Sequence, residues 1–352
     1  MKRVSAVKII GSIGLVISML LNGCTTNSIT DNNVSGNDLT ATEVIRLMGN
    51  GINLGNTLEA YNHKSYVELG VDPTSFETLW GQPVTTRDMI DDMKAMGFDT
   101  LRIPVAWTNG INYESGDYTI DERLMNRVDE VVNYALDADM YVILNEHWDG
   151  SWWGMFGSAD EAVREKGMAL YKSMWTQISE HFSDYSYKLI FESANEELCH
   201  RLNDSDVTGT EGVLSEDECY ETTNRINSEF VKLVRSTGGK NADRFLLIAG
   251  YNTDFRKTCD DRYQMPEDTA KDKLLLSVHY YTPWDYCSDG NAKRWGTPGD
   301  YEEQNSLFQM LTKFTDLGYG VVIGEYAVMG AADKPDRDKF YACLLYTSDA
   351  AD

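Results

Sequence analysis

Two short apolar segments of the sequence each end on a glutamate. The first is Lys188-Leu-Ile-Phe-Glu-Ser-Ala-Asn-Glu196, and the second is Gly320-Val-Val-Ile-Gly-Glu325. Their β-branched and aromatic residues, and a length too short for a typical helix, predict two strands that carry a glutamate at the carboxyl end. Two carboxylates that face each other across a sugar-sized cleft are the minimal equipment for breaking a glycosidic bond.

Strand-like and helix-like segments alternate along the chain. Five further strands are predicted over 51–56, 100–105, 141–145, 244–249 and 274–279. Between them the sequence predicts helices over 86–97, 122–139, 159–182, 222–234 and 306–317. This alternation predicts an α/β protein with a parallel sheet, namely a (β/α)8 TIM barrel, whose catalytic groups lie at the carboxyl ends of the strands.

The predicted barrel has seven strands and not eight. After Ala342 the chain continues only to Asp352, and the end of the sequence resembles translated adaptor sequence. The pattern therefore predicts a catalytic barrel over 41–342 that is truncated after strand seven, and a non-native tail over 343–352. The alternative is a natural short terminus.

The first 24 residues have the organisation of an export signal. A positive start at Lys2, Arg3 and Lys8 precedes an apolar segment over 9–21, which is too short to span a membrane as a helix. The segment ends in Leu-Asn-Gly-Cys24, which is similar to a bacterial lipobox. We therefore predict a signal peptide over 1–23, then a lipidated Cys24 and a flexible linker over 24–40. The protein would be a lipoprotein on the cell surface or facing the periplasm, and plain secretion is the alternative.

Charge and cysteine spacing exclude several classes of partner. The formal net charge is -25, with 56 acidic against 31 basic residues, which disfavours nucleic acid and anionic lipid as ligands. The cysteines lack the C-x-x-C spacing of zinc sites, and Asp204, Asp206 and Glu211 lack the spacing of a calcium loop, so no metal is expected. Export allows disulfides, for which the pairs Cys199 with Cys219 and Cys259 with Cys287 are the first candidates.

Six motifs in barrel-like order resemble glycoside hydrolase family 5, and in particular its bacterial endoglucanases of subfamily 4. Each motif is weak alone, but together they cover the chain from about Thr42 to Ala342. The motifs are Gly51-Ile-Asn-Leu-Gly-Asn-Thr-Leu58, Leu101-Arg-Ile-Pro-Val-Ala-Trp107, Ile143-Leu-Asn-Glu-His147, Phe191-Glu-Ser-Ala-Asn-Glu196, Val278-His-Tyr-Tyr-Thr-Pro283 and Ile323-Gly-Glu325.

The resemblance implies a role for each matched residue. Glu196 matches the general acid/base and Glu325 the nucleophile of a retaining hydrolase. Arg102 matches the arginine that keeps the nucleophile ionised, and Asn195 matches the donor to the sugar 2-hydroxyl. The substrate-binding residues expected from these matches and from nearby aromatic residues are Asn56, Arg102, His147, Trp148, Asn195, His279, Tyr281 and Trp284.

Two departures from the family pattern accompany these matches. The second histidine that the family often has on strand three is replaced by Trp148, which would stack on a sugar. The tryptophan that follows strand eight in the family has no counterpart. Six tryptophans are predicted to lie mostly beyond strand ends, where they would line a polysaccharide cleft or pack in the core: Trp107, Trp148, Trp152, Trp153, Trp284 and Trp295.

The function implied by the resemblance is a retaining endo-β-1,4-glucanase that cleaves cellulose-type or mixed-linkage β-glucans. It would need no cofactor, and the full-length protein would be a monomer. The alternatives are a xyloglucanase or β-mannanase of the same family, and a non-catalytic lipoprotein that captures glycans at the cell surface.

Overall fold

The computed structural model describes residues 38–288, 290, 292–330 and 334–350, without the side chains of 346–350. The predicted signal peptide, Cys24 and most of the predicted linker lie outside the described residues. Within the described part of the chain, no helix combines the length and the apolar character that crossing a membrane requires.

Seven parallel strands form one sheet whose spatial order follows the sequence order. All seven predicted strands are confirmed, and together with the helices between them they form a nearly closed α/β barrel of the (β/α)8 type. The strands are β1 (Gly51–Asn53), β2 (Thr100–Ile103), β3 (Tyr141–Asn145), β4 (Leu189–Glu192), β5 (Leu246–Ala249), β6 (Leu274–Tyr280) and β7 (Gly320–Tyr326). The described residues contain no eighth strand.

Eleven α-helices are present among the described residues. They are α1 (Ala41–Met48), α2 (His63–Leu69), α3 (Arg87–Ala95), α4 (Glu122–Asp137), α5 (Glu161–His181), α6 (Glu216–Ser236), α7 (Phe255–Thr258), α8 (Trp284–Cys287), α9 (Pro298–Met310), α10 (Thr312–Thr315) and α11 (Arg337–Ala350). The predictions for α3 to α6 are confirmed. The helix predicted over 306–317 is instead two helices, α9 and α10.

The chain divides into two compact units. The described part of the first contains residues 38–280 and 311–326, and therefore all seven strands. The described part of the second contains 281–310 and 327–350, with helices α8, α9 and α11. In this second unit the indole ring of Trp295 packs edge-on against Phe340 on α11, with ring centroids 5.3 Å apart. The predicted non-native origin of residues 343–352 stays a prediction.

The core of the barrel unit follows from the sequence pattern of its strands and helices. Strands β2 to β6 are buried at every position, as expected for parallel strands covered by helices. Helices α4 to α6 each begin with a polar residue that accepts a backbone N–H in the first turn, namely Asp121, Asp160 and Ser215. Trp175 on α5 contacts Phe230 on α6 edge-on, with ring centroids 4.7 Å apart.

Strands β1 and β7 approach each other at the edges of the sheet. The side-chain amide of Asn53 on β1 donates a 2.9 Å hydrogen bond to the carbonyl of Gly324 on β7. Between β6 and β7 the register shifts by one residue, so that Ile323 pairs with Val278 whereas Glu325 pairs with His279. Gly324 is the extra residue of this β-bulge, a feature that redirects side chains near active sites.

The disulfide prediction is wrong for the residues that the structure describes. Cys199, Cys219 and Cys287 are not bonded to another cysteine, so neither predicted pair forms a disulfide. The Cys199 thiol instead contacts the side-chain oxygen of Asn252 at 3.3 Å. Burial raises the pKa of this thiol to about 12, which keeps it protonated and unreactive at neutral pH.

Candidate active site

The two glutamates predicted to be catalytic converge at one end of the barrel. Glu196 follows β4, and Glu325 lies near the carboxyl end of β7. One carboxylate oxygen of each glutamate and one ring nitrogen of His279 all lie within 4.8 Å of one another. This separation is far below the roughly 6.5–9.5 Å of inverting glycosidases and fits the approximately 5 Å of retaining ones. The structure therefore brings the two predicted glutamates together.

His279 lies between the two carboxylates. Its Nδ1 is 2.8 Å from Oε1 of Glu196 and 3.6 Å from Oε2 of Glu325. The β-bulge at Gly324 places His279 and Glu325 opposite each other on neighbouring strands. This ring nitrogen is hydrogen-bonded to Glu196 and lies in close contact with Glu325. The opposite nitrogen, Nε2, is buried and has no hydrogen-bond partner among the described residues.

Arg102 fixes the nucleophile candidate. Its guanidinium is almost fully buried and donates to Oε1 of Glu325 at 2.8 Å and to Oε2 of Glu192 at 2.7 Å. Burial alone would lower the Arg102 pKa, but the two carboxylates raise it above its usual value. The arginine is therefore a permanent cation directly beside the Glu325 carboxylate. It also donates to Oδ1 of Asn195 at 2.9 Å, which fixes the orientation of that amide.

Glu192 and Asn53 belong to this network, although sequence reasoning did not single them out. The Glu192 carboxylate is fully buried and accepts from Ser277 at 2.6 Å and from Asn145 at 3.0 Å, in addition to Arg102. Asn53 accepts from Arg102 at 2.9 Å. The sequence signal for Glu192 was a carboxylate inside an otherwise apolar strand, which requires a buried cation.

Asn56, in contrast, makes no hydrogen bond to this network among the described residues. Its backbone has a φ of 62°, its side chain is exposed, and its N–H donates to the Glu59 carboxylate. The substrate-binding role of Asn56 stays a prediction.

His147 follows β3 by two residues and faces the candidate nucleophile Glu325. Its Nε2 is 4.0 Å from Oε1 of Glu325. Burial and the positive charge of Arg102 lower the pKa of His147 to about 3, so the imidazole is neutral at physiological pH. A neutral ring can donate to or accept from a sugar hydroxyl without competing with Arg102 for the charge of Glu325.

Trp148 is 43% exposed and follows His147 directly. The Arg201 guanidinium lies 5.4 Å from the centroid of its indole ring, which supports one ring face by a cation–π contact. The arrangement fits the predicted stacking role. Three other candidates, Trp107, Trp152 and Trp153, are fully buried and therefore belong to the core.

Tyr281 and Trp284 lie in the second compact unit. Their rings contact each other edge-on with centroids 6.3 Å apart, and the Trp284 side chain is 69% exposed. Trp295 in the same unit is almost fully buried. The substrate-binding roles of Tyr281 and Trp284 stay predictions.

A group of three buried carboxylates beside the site was missed by the sequence analysis. Glu146 accepts from the indole N–H groups of Trp152 and Trp153, each at 3.2 Å. Asp149 accepts from the backbone and hydroxyl of Thr108. Burial raises the pKa of Asp149 to about 6 and raises the pKa of Glu146 well above its ordinary value.

The third buried carboxylate, Glu197, directly follows the acid/base candidate. Burial raises its pKa to about 7, and the neighbouring charge of Glu196 adds to the shift. Its two oxygens accept from the backbone N–H groups of Trp148 and Asn195.

The protein is a parallel α/β barrel with two carboxylates at this separation, and one of them is paired with a buried arginine. These features are those of the retaining glycoside hydrolases. The model of the cellulase family, glycosyl hydrolase family 5, matches residues 64–350. The chain belongs to this family.

Relatives within the family are endoglucanases and related enzymes. Endoglucanase A of Paenibacillus barcinonensis is 35% identical over 328 residues, which cover 85% of this chain and 75% of that protein. A xyloglucan-specific endo-β-1,4-glucanase of Bacteroides ovatus is 33% identical over 311 residues, which cover 85% of this chain but 59% of that protein. A solved broad-specificity endoglucanase of subfamily 4 from Ruminococcus champanellensis, with bound cellotriose, has a TM-score of 0.75 and 32% identity, and the match covers 89% of this chain and 87% of that one.

Proposed function

We propose that this protein is a retaining endo-β-1,4-glucanase. The observation that carries the proposal is the approach of the Glu196 and Glu325 carboxylates within 4.8 Å, with Glu325 paired to Arg102. A relative with bound cellotriose supports a cellulose-type chain as the substrate.

The reaction follows from the asymmetry of the two carboxylates. Glu325 attacks the anomeric carbon, while Glu196 donates a proton to the glycosidic oxygen and the leaving chain departs. Glu196, now a carboxylate, removes a proton from a water molecule that attacks the same carbon and releases Glu325. Two inversions return the original configuration. His279 contacts both carboxylates, so it keeps their spacing through both steps.

The anomeric form of the first product tests the mechanism. Hydrolysis of a soluble mixed-linkage β-glucan is followed by proton NMR before mutarotation. We expect the β-anomer as the first product, and no turnover in Glu325→Ala or Glu196→Ala. An α-anomer as the first product, or undiminished turnover in either variant, would contradict the proposal. A glycan-binding protein without activity would give no product with the wild type.

Xyloglucan is the second candidate substrate, since one relative is specific for it. A panel of barley β-glucan, carboxymethylcellulose, xyloglucan and β-mannan, compared by kcat/KM, separates these specificities. Exclusive activity on xyloglucan or mannan would replace the β-glucan assignment without changing the mechanism.

We further propose that the protein is exported, anchored to the bacterial membrane through Cys24, and monomeric. The support for export and anchoring is the sequence of residues 1–24. Cells that express the protein should incorporate labelled fatty acid into it, and Cys24→Ala should abolish that label. Sedimentation of the detergent-solubilised protein tests whether it is a monomer. An unlabelled wild type in the culture medium would indicate plain secretion.

A further inference from the structure

The backbone beside the active site is strained at Trp148. Residues 148–151 all have positive φ, with 56° at Trp148 and 44° at Asp149. The N–H of Asp149 donates to the carbonyl of His147 at 2.7 Å, which closes a γ-turn around Trp148. This positive-φ form of the γ-turn is rare, and a bulky residue adopts it only where the surroundings hold it in place.

Glu197 supplies one of the contacts that hold this turn. Its Oε1 accepts from the backbone N–H of Trp148 at 2.9 Å, and its Oε2 accepts from the backbone N–H of Asn195 at 3.0 Å. The residue is 2% exposed, so water cannot replace either bond. One buried carboxylate thus connects the loop after β3 with the segment after β4 that carries Glu196.

We propose that Glu197 is a positioning residue that fixes Trp148 and the acid/base candidate Glu196 relative to each other. The inference rests on the proposed glucanase function. Without the two bonds, the γ-turn relaxes, and both His147 and the indole face of Trp148 move. At the same time the Asn195 N–H loses its acceptor, and Glu196 moves relative to the glycosidic oxygen that it must protonate.

Two variants separate this role from simple stabilisation. Glu197→Gln has one acceptor oxygen for two N–H donors, and Glu197→Asp is one methylene too short to reach both. The matched control is Glu77→Gln, because Glu77 is also buried and also accepts a backbone N–H, from Thr85 at 2.7 Å, but lies beside Arg127 and away from the site. Melting temperatures identify the working temperature at which all variants are folded.

The first readout is kcat/KM on β-glucan and on dinitrophenyl β-cellobioside, whose leaving group departs without a proton. We expect both Glu197 variants to lose about 100-fold on β-glucan, a typical result of a misplaced catalytic group. On the aryl substrate we expect a smaller loss of about 10-fold, because its first step needs no acid although His147 and Trp148 still move. The control should lose little on either substrate. Equal losses on both substrates, or no loss on β-glucan, would overturn the proposal.

The second readout does not depend on activity. Hydrogen exchange of the Trp148 and Asn195 amides, resolved by NMR or mass spectrometry, reports the two bonds directly. We expect at least one of these amides to exchange about tenfold faster in Glu197→Gln than in the wild type and in Glu77→Gln. If both amides of Glu197→Gln exchange at the wild-type rate, the positioning role is refuted. If the wild-type protein has no activity but Glu197→Gln still shows accelerated exchange, only the proposed function is refuted.

Discussion

His279 and Glu325 are direct neighbours across β6 and β7 because Gly324 is left out of the strand register. Without this bulge, Gly324 would pair with His279 and the Glu325 side chain would point to the other face of the sheet. The bulge therefore brings Glu325 next to His279, which also contacts Glu196.

Gly324→Ala should displace His279. A Cβ at this position would lie 3.0 Å from Nε2 of His279 and 3.2 Å from Oγ of Ser277, closer than ordinary van der Waals contact. We expect kcat on β-glucan to fall about 10- to 100-fold, because both carboxylates lose their common contact. Gly51→Ala is the control, since its Cβ would meet Thr100 at an ordinary 3.6 Å. Equal activity of the two variants would show that the bulge does not set the geometry.

Arg102→Lys should remove activity although it keeps the positive charge. The guanidinium donates to four side chains, namely Asn53, Glu192, Asn195 and Glu325. An ammonium group has neither the reach nor the planar fork to serve all four, so the buried Glu192 or the partly buried Glu325 loses its charged partner.

For Arg102→Lys we expect kcat/KM to fall at least about 100-fold and the free energy of unfolding to fall by about 3–5 kcal/mol. Steady-state kinetics and urea denaturation measure the two quantities. Lys94→Arg, which exchanges the same residue types at a partly exposed ion pair with Asp99, should change neither by much. A fully active Arg102→Lys variant would contradict the role of the guanidinium.

His147 makes the folded state sensitive to acid. Its pKa is about 3 in the folded protein and near 6.5 when unfolded, so the unfolded chain binds the additional proton. The stabilising contribution is complete above pH 6.5 and is lost as the pH falls toward 3, at a slope of up to about 1.4 kcal/mol per pH unit. We expect His147→Gln to lower this slope, measured by urea denaturation between pH 6.5 and pH 4. An unchanged slope would mean that His147 is protonated in the folded state.

Asp149 has the opposite effect on the pH dependence of stability. Its pKa is about 6 when folded and near 3.8 when unfolded, so its contribution is complete below pH 3.8 and is lost as the pH rises through 6. Asp149→Asn keeps an acceptor for Thr108 and removes the titration. We expect this variant to lose less stability than the wild type when the pH rises from 4 to 7. If the two curves stay parallel, the burial of Asp149 does not shift its titration.

The strands and the catalytic pair were predictable because each depends on local pattern. β-Branched runs predict buried strands, and parallel strands bring their carboxyl ends to the same edge of the barrel, which is sufficient to place Glu196 beside Glu325. The role of Gly324 was not predictable, because a bulge is a property of two paired strands. The roles of Asn53 and Glu197 were not predictable either. The partners of Asn53 are distant in sequence, and Glu197 binds the backbone of a γ-turn at Trp148 that no residue propensity favours.

Arg244 shows how far a buried charge can be satisfied by carbonyl groups. Its guanidinium is 1% exposed and donates to the carbonyls of Phe182, Tyr185, Ser186 and Leu189 and to Oδ1 of Asn241. Burial lowers its pKa to about 9, so it is still charged at neutral pH.

Arg244→Lys should therefore destabilise the protein strongly. A single ammonium group satisfies at most three of the five acceptors, and each buried carbonyl left without a donor costs about 1–3 kcal/mol. We expect a loss of about 3–5 kcal/mol in the free energy of unfolding by urea denaturation, with unchanged kcat in the remaining folded protein. Lys240→Ala, which removes an exposed donor to the carbonyl of Asp184, is the control and should cost less than about 1 kcal/mol. A loss for Arg244→Lys no larger than the control's would show that water enters the site and replaces the missing donors.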